Sequence, residues 1–212
     1  GNVANNHYHL YERDVAVLGQ LGLNSYRFSI AWPRVFPKGA GPVQAEGLDF
    51  YSRLVDELLK NNITPCVTLY HWDLPQTLED KGGWPIRDTA LAFVDYADTV
   101  SRHLGDRVNL WTTHNEPWCA SMLGYHQGRH APGRTNLRDA VAASHHMLLS
   151  HGLSVPVIRN NVPNAKVGIV LNPVPGIPAS TSEADHDAHR KFDGEFNRWY
   201  LDALYKGHYP ED

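Results

Sequence analysis

Cysteine is nearly absent. Only Cys66 and Cys119 occur among 212 residues, without a C-x-x-C spacing, which excludes a disulfide framework and any dithiol or zinc-thiolate motif. A reducing, cytoplasmic setting is the expectation. No apolar run approaches the roughly 18 residues that cross a bilayer, and Gly1 opens no charged-then-apolar leader, so no membrane partner is expected. Charge of one sign is also missing. The 19 Lys and Arg stand against 23 Asp and Glu, giving −4 with no long run of either sign, so the sequence offers nucleic acid no basic footprint. With 17 Gly and 14 Pro it is far from collagen or a low-complexity linker, and 42% hydrophobic residues suffice for a core. Neither G-x-G-x-x-G nor G-x-x-x-x-G-K is present, nor is H-E-x-x-H despite 13 His. A metal centre is therefore not expected. His145, His146 and His151 fall on or beside a helical pattern and are expected to face solvent.

What is present is an alternation of two periods. Tyr11, Val15, Leu18 and Leu21 recur at helical spacing before Gly22, whereas Ser25 to Ile30 alternates Tyr26, Phe28 and Ile30 against Arg27 and Ser29, the period of a strand. Helical spacing returns at Leu48–Leu59, followed by a strand at Ile63–Tyr70, a helix at Ala90–Leu104 and a strand at Val108–Thr113. A helix from Leu137 to about Arg159, which Pro156 should kink or end, precedes a strand at Lys166–Leu171. Phe192, Phe196, Trp199 and Tyr200 suggest one last helix. Strands that begin near 25, 63, 108 and 166 leave room for right-handed crossovers in a parallel sheet, so the class is α/β. Without a Gly-rich phosphate turn the favoured architecture is a (β/α)8 TIM barrel of which about four of eight units are visible. Residues 1–212 then read as one incomplete barrel domain.

Barrels keep their chemistry at the carboxyl ends of the strands. There this chain carries His71 and Trp72 after its second strand and Asn115 and Glu116 after its third. Glu116, beside Pro117-Trp118, is either a general acid whose carboxyl is desolvated by aromatic neighbours or a carboxylate that accepts loop hydrogen bonds. His71 and Trp72 suit the hydroxyl edge and apolar faces of a sugar, or else are a buried histidine beside a core tryptophan. Arg27 lies on the parity opposite to Tyr26, Phe28 and Ile30. It is either exposed on an edge strand or points into the barrel, where its charge asks for an acid, and Glu116 is the one available.

Three ordered strings now show a resemblance. Tyr26-Arg27-Phe28-Ser29-Ile30-Ala31-Trp32-Pro33-Arg34, Thr68-Leu69-Tyr70-His71-Trp72-Asp73-Leu74-Pro75 and Thr113-His114-Asn115-Glu116-Pro117-Trp118 resemble successive motifs of glycoside hydrolase family 1, the retaining β-glucosidases and their relatives. Gly124-Tyr125 to Gly133 and Phe196-Asn197-Arg198-Trp199 to Pro210 are similar too. The resemblance implies a hydrolase that needs no metal or organic cofactor and acts on β-glucosides or oligosaccharides by double displacement. Glu116 would be the acid/base, Asn115 a donor to the sugar, His71 and Trp72 part of the glycone site, and Arg27 the support of the nucleophile.

Some parts of the family pattern are missing. Its first strand, with a sugar-binding Gln, is expected before Gly1, and none of the eight Glu is followed by the Asn-Gly that marks its nucleophile. His114 stands where many relatives carry an apolar residue. The chain alone is therefore expected to be inactive and to self-associate through open barrel edges. The alternative is a half-barrel that binds carbohydrate without hydrolysing it.

Overall fold

A computed structural model describes residues 4–212. Gly1, where the sequence was read for a leader, lies outside the described residues. Four strands, β1 (Ser25–Ser29), β2 (Thr64–Tyr70), β3 (Leu110–Asn115) and β4 (Lys166–Val170), pair in sequence order, all parallel. The helices are α1 (His7–Gln20), α2 (Trp32–Val35), α3 (Ala45–Lys60), α4 (Gln76–Glu79), α5 (Arg87–Leu104), α6 (Leu137–Asn161), α7 (Glu183–Asp193) and α8 (Trp199–Tyr205). The crossovers α3, α5 and α6 join successive strands, which makes the fold a partial (β/α) barrel, as the alternating periods imply.

Strand parity builds the layers. Phe28, Val67 and Trp111 are register partners and buried, Phe28 stacking on Tyr51 of α3. On the opposite face Arg27, Cys66 and Leu110 form one row and Ser29, Thr68 and Thr112 another. Tyr96 of α5 locks helix to sheet. Its ring stacks on Trp32 at 5.1 Å, and its hydroxyl lies 3.2 Å from the Ile30 carbonyl and 2.9 Å from the Leu69 carbonyl at the ends of β1 and β2. Gly47 at the start of α3 permits a close approach, since a Cβ there would lie 2.0 Å from the Arg34 carbonyl oxygen.

One expectation is narrowed and another needs correction. Helix α6 runs through Pro156 without ending. Pro156 and the residue four before it, Gly152, both lie on the exposed face, so water can satisfy the carbonyl that loses its partner. The expected single last helix is instead α7, a π-helical turn at Gly194–Arg198, and α8. The wider turn packs Phe196 against Trp118, ring centroids 4.2 Å apart and tilted by 33°, and Asn197 bonds both the N–H and the C=O of Val174 at 2.9 Å. These contacts dock the segment against the loops that follow β3 and β4.

The sheet stays open at both edges. Beside the unpaired edge of β1 lies a groove of about 840 Å³, lined by His7, Tyr8, Tyr26, Arg27 and Phe28 among others. Beyond β4, Ile177 is 90% exposed. Among the described residues no helix is long and apolar enough to cross a membrane.

Candidate active site

The carboxyl ends of β1 to β3 bring the predicted residues together. Two residues after β2, Trp72 has φ 79°, and directly after β3, Glu116 has φ 48°. Left-handed backbone at non-glycine residues costs on the order of 1–3 kcal/mol each and persists only where the surroundings impose it, most often at functional sites. Here the imposing contacts are visible. The Glu116 N–H donates to the Val170 carbonyl at 2.8 Å, and the Trp72 indole N–H donates to the Asn115 carbonyl at 2.8 Å.

Arg27 does point across the inner face of the sheet, as its parity requires, but the acid it was expected to find is not there. Its Nε donates to Thr68 Oγ1 at 2.9 Å and its Nη2 to Asn115 Oδ1. No ion pair involves Arg27 among the described residues. The residue is exposed on the open face, so water screens its charge and a hydroxyl plus an amide oxygen satisfy its donors. Arginine has no acceptor, so the Asn115 oxygen must face it and the Asn115 amide N–H₂ is left free.

Asn115 reaches Arg27 only because β3 is irregular. Thr112 lies against Thr68 at 2.7 Å, so strict alternation would put Asn115, three residues on, on the other face. The register between β3 and β4 shifts between Thr112 and Asn115, which returns Asn115 to the inner face. The same irregularity buries His114, stacked at 4.5 Å on Phe93 of α5 with Nε2 2.8 Å from Ser150 Oγ of α6.

His71 is exposed at the mouth, with Nδ1 3.2 Å from Ser29 Oγ and its ring 5.0 Å from Trp72. It is not a buried core histidine. Partial desolvation, then the Arg27 charge, lower its pKa, with Glu116 opposing. Trp72 is half-buried, and His130 approaches its ring at 5.1 Å. The two line a cavity of about 620 Å³ with Tyr70, Leu74, Glu79 and Tyr125. Glu116 itself is half-buried and accepts from the Cys119 thiol at 3.4 Å through Oε2.

Sequence reasoning missed two participants. Cys119 stands three residues beyond Glu116, a spacing that meets within one helical turn. Asp73, next to Trp72, is half-buried, has one carboxyl oxygen without a partner, and is pushed up to about 6 by desolvation. Two half-buried histidines of α6 also depart from expectation. His151 was expected in solvent, yet it continues the buried α6 stripe of Met147, Ser150 and Ser154 and meets Thr113 Oγ1 at 2.8 Å. His146 also turns inward, its Nδ1 3.0 Å from the Trp84 carbonyl, whereas His145 is exposed as expected.

Burial lowers the His151 pKa from 6.5 to about 4. A histidine kept neutral by the fold leaves stability intact above pH 6.5 and withdraws it as pH falls through its folded pKa. Between pH 7 and 4 this amounts to about 3 kcal/mol. Asp73, raised by folding, acts in the opposite sense over pH 4 to 6, so the difference between two proteins is the proper measure. Urea unfolding of wild type and His151→Gln is expected to show the gap moving by that amount in the variant's favour as the pH drops. A gap independent of pH would contradict the burial argument.

Comparison with known proteins bears on the family and the fold. The model of the family described as glycosyl hydrolase family 1 matches residues 1–212. β-Glucosidase A of Acetivibrio thermocellus is 49% identical over 212 residues, which is 100% of this chain and 47% of that protein. The crystal structure of the psychrophilic β-glucosidase BglU from Micrococcus antarcticus superposes with a TM-score of 0.95 at 52% identity, covering 98% of this chain and 44% of that one. The virulence factor SghA from Agrobacterium tumefaciens superposes with a TM-score of 0.97 at 48% identity, covering 99% of this chain and 46% of that one, and has been solved with its substrate analogue salicin. The chain spans about half the length of the curated relatives it matches.

Proposed function

The chain belongs to glycosyl hydrolase family 1, and from that premise we propose that the full-length protein is a retaining β-glycosidase, a β-glucosidase in its specificity, with Glu116 as acid/base. The observation that carries this reading is the convergence of Trp72, Asn115 and Glu116 at adjacent strand ends, two of them on left-handed backbone. Glu116 gives its proton to the glycosidic oxygen while a second carboxylate, roughly 5–5.5 Å away, attacks the anomeric carbon. It then takes a proton from the water that releases the sugar. No Glu-Asn-Gly lies within residues 1–212, so the nucleophile is to be sought outside them.

The remaining roles follow from which atoms are spoken for. Arg27 occupies the oxygen of Asn115, so its N–H₂ is the donor available to a hydroxyl near the reacting carbon. Arg27, held by Thr68, keeps a guanidinium on the inner face, where it supports the nucleophile. The indole N–H of Trp72 is engaged by the chain itself, which leaves its ring face for the C–H side of a glucosyl unit. His71 supplies an edge contact through Nε2. The free thiols of Cys66 and Cys119 suit a cytoplasmic setting, with a β-glucoside or oligosaccharide as partner.

A second reading is a non-catalytic half-barrel that binds carbohydrate, for which His71, Trp72 and Asn115 at adjacent strand ends would suffice. Hydrolysis of cellobiose and of an aryl β-glucoside by the full-length protein, beside equilibrium binding of the same sugars, separates the two. Turnover with retained configuration supports the enzyme; binding without turnover supports the binder. For His71, an Ala substitution is expected to cost on the order of 1–3 kcal/mol in kcat/KM, because a sugar hydroxyl is left unpaired. On the deoxy-glucoside that lacks that hydroxyl the penalty should vanish. An equal penalty on every deoxy-substrate would remove His71 from the sugar site.

A further inference from the structure

The turn that follows Glu116 folds back onto it. The backbone N–H groups of Cys119 and Ala120 both donate to the Glu116 carbonyl, at 2.9 and 3.3 Å, and Cys119 opens a π-helical segment that runs to His126. This winding sets the Cys119 side chain against the carboxyl, with Sγ 3.4 Å from Oε2, and leaves the residue only 8% exposed. From the other side, beyond β4, the Asn172 amide donates to the same sulfur at 3.6 Å. One sulfur lone pair is thereby occupied, and the S–H is directed to the carboxylate.

We infer that Cys119 is a positioning residue for Glu116, its thiol fixing Oε2 as the acceptor oxygen and so leaving Oε1 to carry the proton that moves. The inference rests on the reading of Glu116 as acid/base and deepens it. Burial, then Glu116, push the thiol up to about 12, so sulfur keeps its proton throughout the neutral range and acts as a donor at every step. A donor to the ionised form favours ionisation, which eases the return of Glu116 to the carboxylate that must activate water. The other groups that face Glu116 are few. From β2 comes His71, whose charge is coupled to it; from β1 comes Arg27, held one residue away on Asn115; from beyond β4 comes Asn172, which is neutral. The thiol is thus the one side-chain donor on the Glu116 carboxyl among the described residues.

The test is the titration of the Glu116 carboxyl carbon by NMR in full-length protein labelled at glutamate, assigned with Glu116→Gln. Cys119→Ala is expected to move the midpoint upward by about half a pH unit, the size of one weak hydrogen bond. Cys119→Ser, which keeps a donor, should hold it at or below the wild-type position. The alkaline limb of the pH profile for cellobiose hydrolysis should move with the midpoint in each variant. Equal midpoints in wild type and Cys119→Ala would overturn the inference, as would equal displacement in Ala and Ser, since a packing defect alone would move both. Failure of the acid/base reading looks different: Glu116→Gln would leave hydrolysis unchanged whatever the titration shows.

Discussion

Glu116→Gln in the full-length protein is expected to slow hydrolysis of cellobiose by about 10²–10⁴-fold, the contribution of one well-placed proton donor. The loss arises because a sugar alkoxide is a poor leaving group and needs a proton as the bond breaks. The substituted amide matches the carboxyl in shape, and the Glu116 backbone, fixed by its N–H on the Val170 carbonyl, has no reason to move. Binding should therefore change little. A nitrophenyl or similarly activated glucoside leaves without help, so its first step should be nearly intact, while the second step, which needs a base for water, slows. Accumulation of a glycosyl-enzyme and a burst of nitrophenol are the measurable signs. An equal loss for both substrates in the first step would remove Glu116 from the acid role.

The second large effect concerns residues 1–212 expressed alone, for which no turnover and strong self-association are expected. Four strands cannot close an eight-stranded barrel. The outer edges of β1 and β4 keep unpaired N–H and C=O groups, and the inner face that would be enclosed is open, with Arg27 and His71 exposed and Thr112 half-exposed. The 840 Å³ groove beside β1 leaves the half-buried Tyr26 ring without a neighbour on that side. Light scattering on the purified fragment should report assemblies larger than a monomer, and an aryl β-glucoside assay should match its Glu116→Gln control. Turnover that disappears in that control would mean that a nucleophile is present within these residues after all.

Strand starts were legible to within two residues. The alternation at Ser25 and the β-former runs at Ile63, Val108 and Lys166 correspond to strands beginning at 25, 64, 110 and 166, because β-branched and aromatic side chains fit a pleated, helix-covered surface. The short helix α2 and the π turns at Cys119–His126 and Gly194–Arg198 were not legible. A few residues carry too little periodicity, and a π turn exists only through the contacts that demand it. His151 could have been found, since it falls four residues after Met147 on a stripe that the sequence already marks as apolar.

By itself, then, the sequence determined the class of the fold, the order of its units, and which side chains stand at the ends of β2 and β3. All of that follows from near neighbours, whose alternation sets faces and whose Gly, Pro and aromatic residues end strands. Only the tertiary structure decided how those side chains are used. That Arg27 bonds Asn115, 88 residues away, rather than an acid depends on the register of β1 on β2 and on the shift in β3. The meeting of Cys119 and Asn172 at Glu116 depends on a π turn meeting the end of β4. Contacts of this kind are settled by packing between elements, in which a displacement of one residue reverses the face a side chain takes, and no local pattern in the chain encodes it.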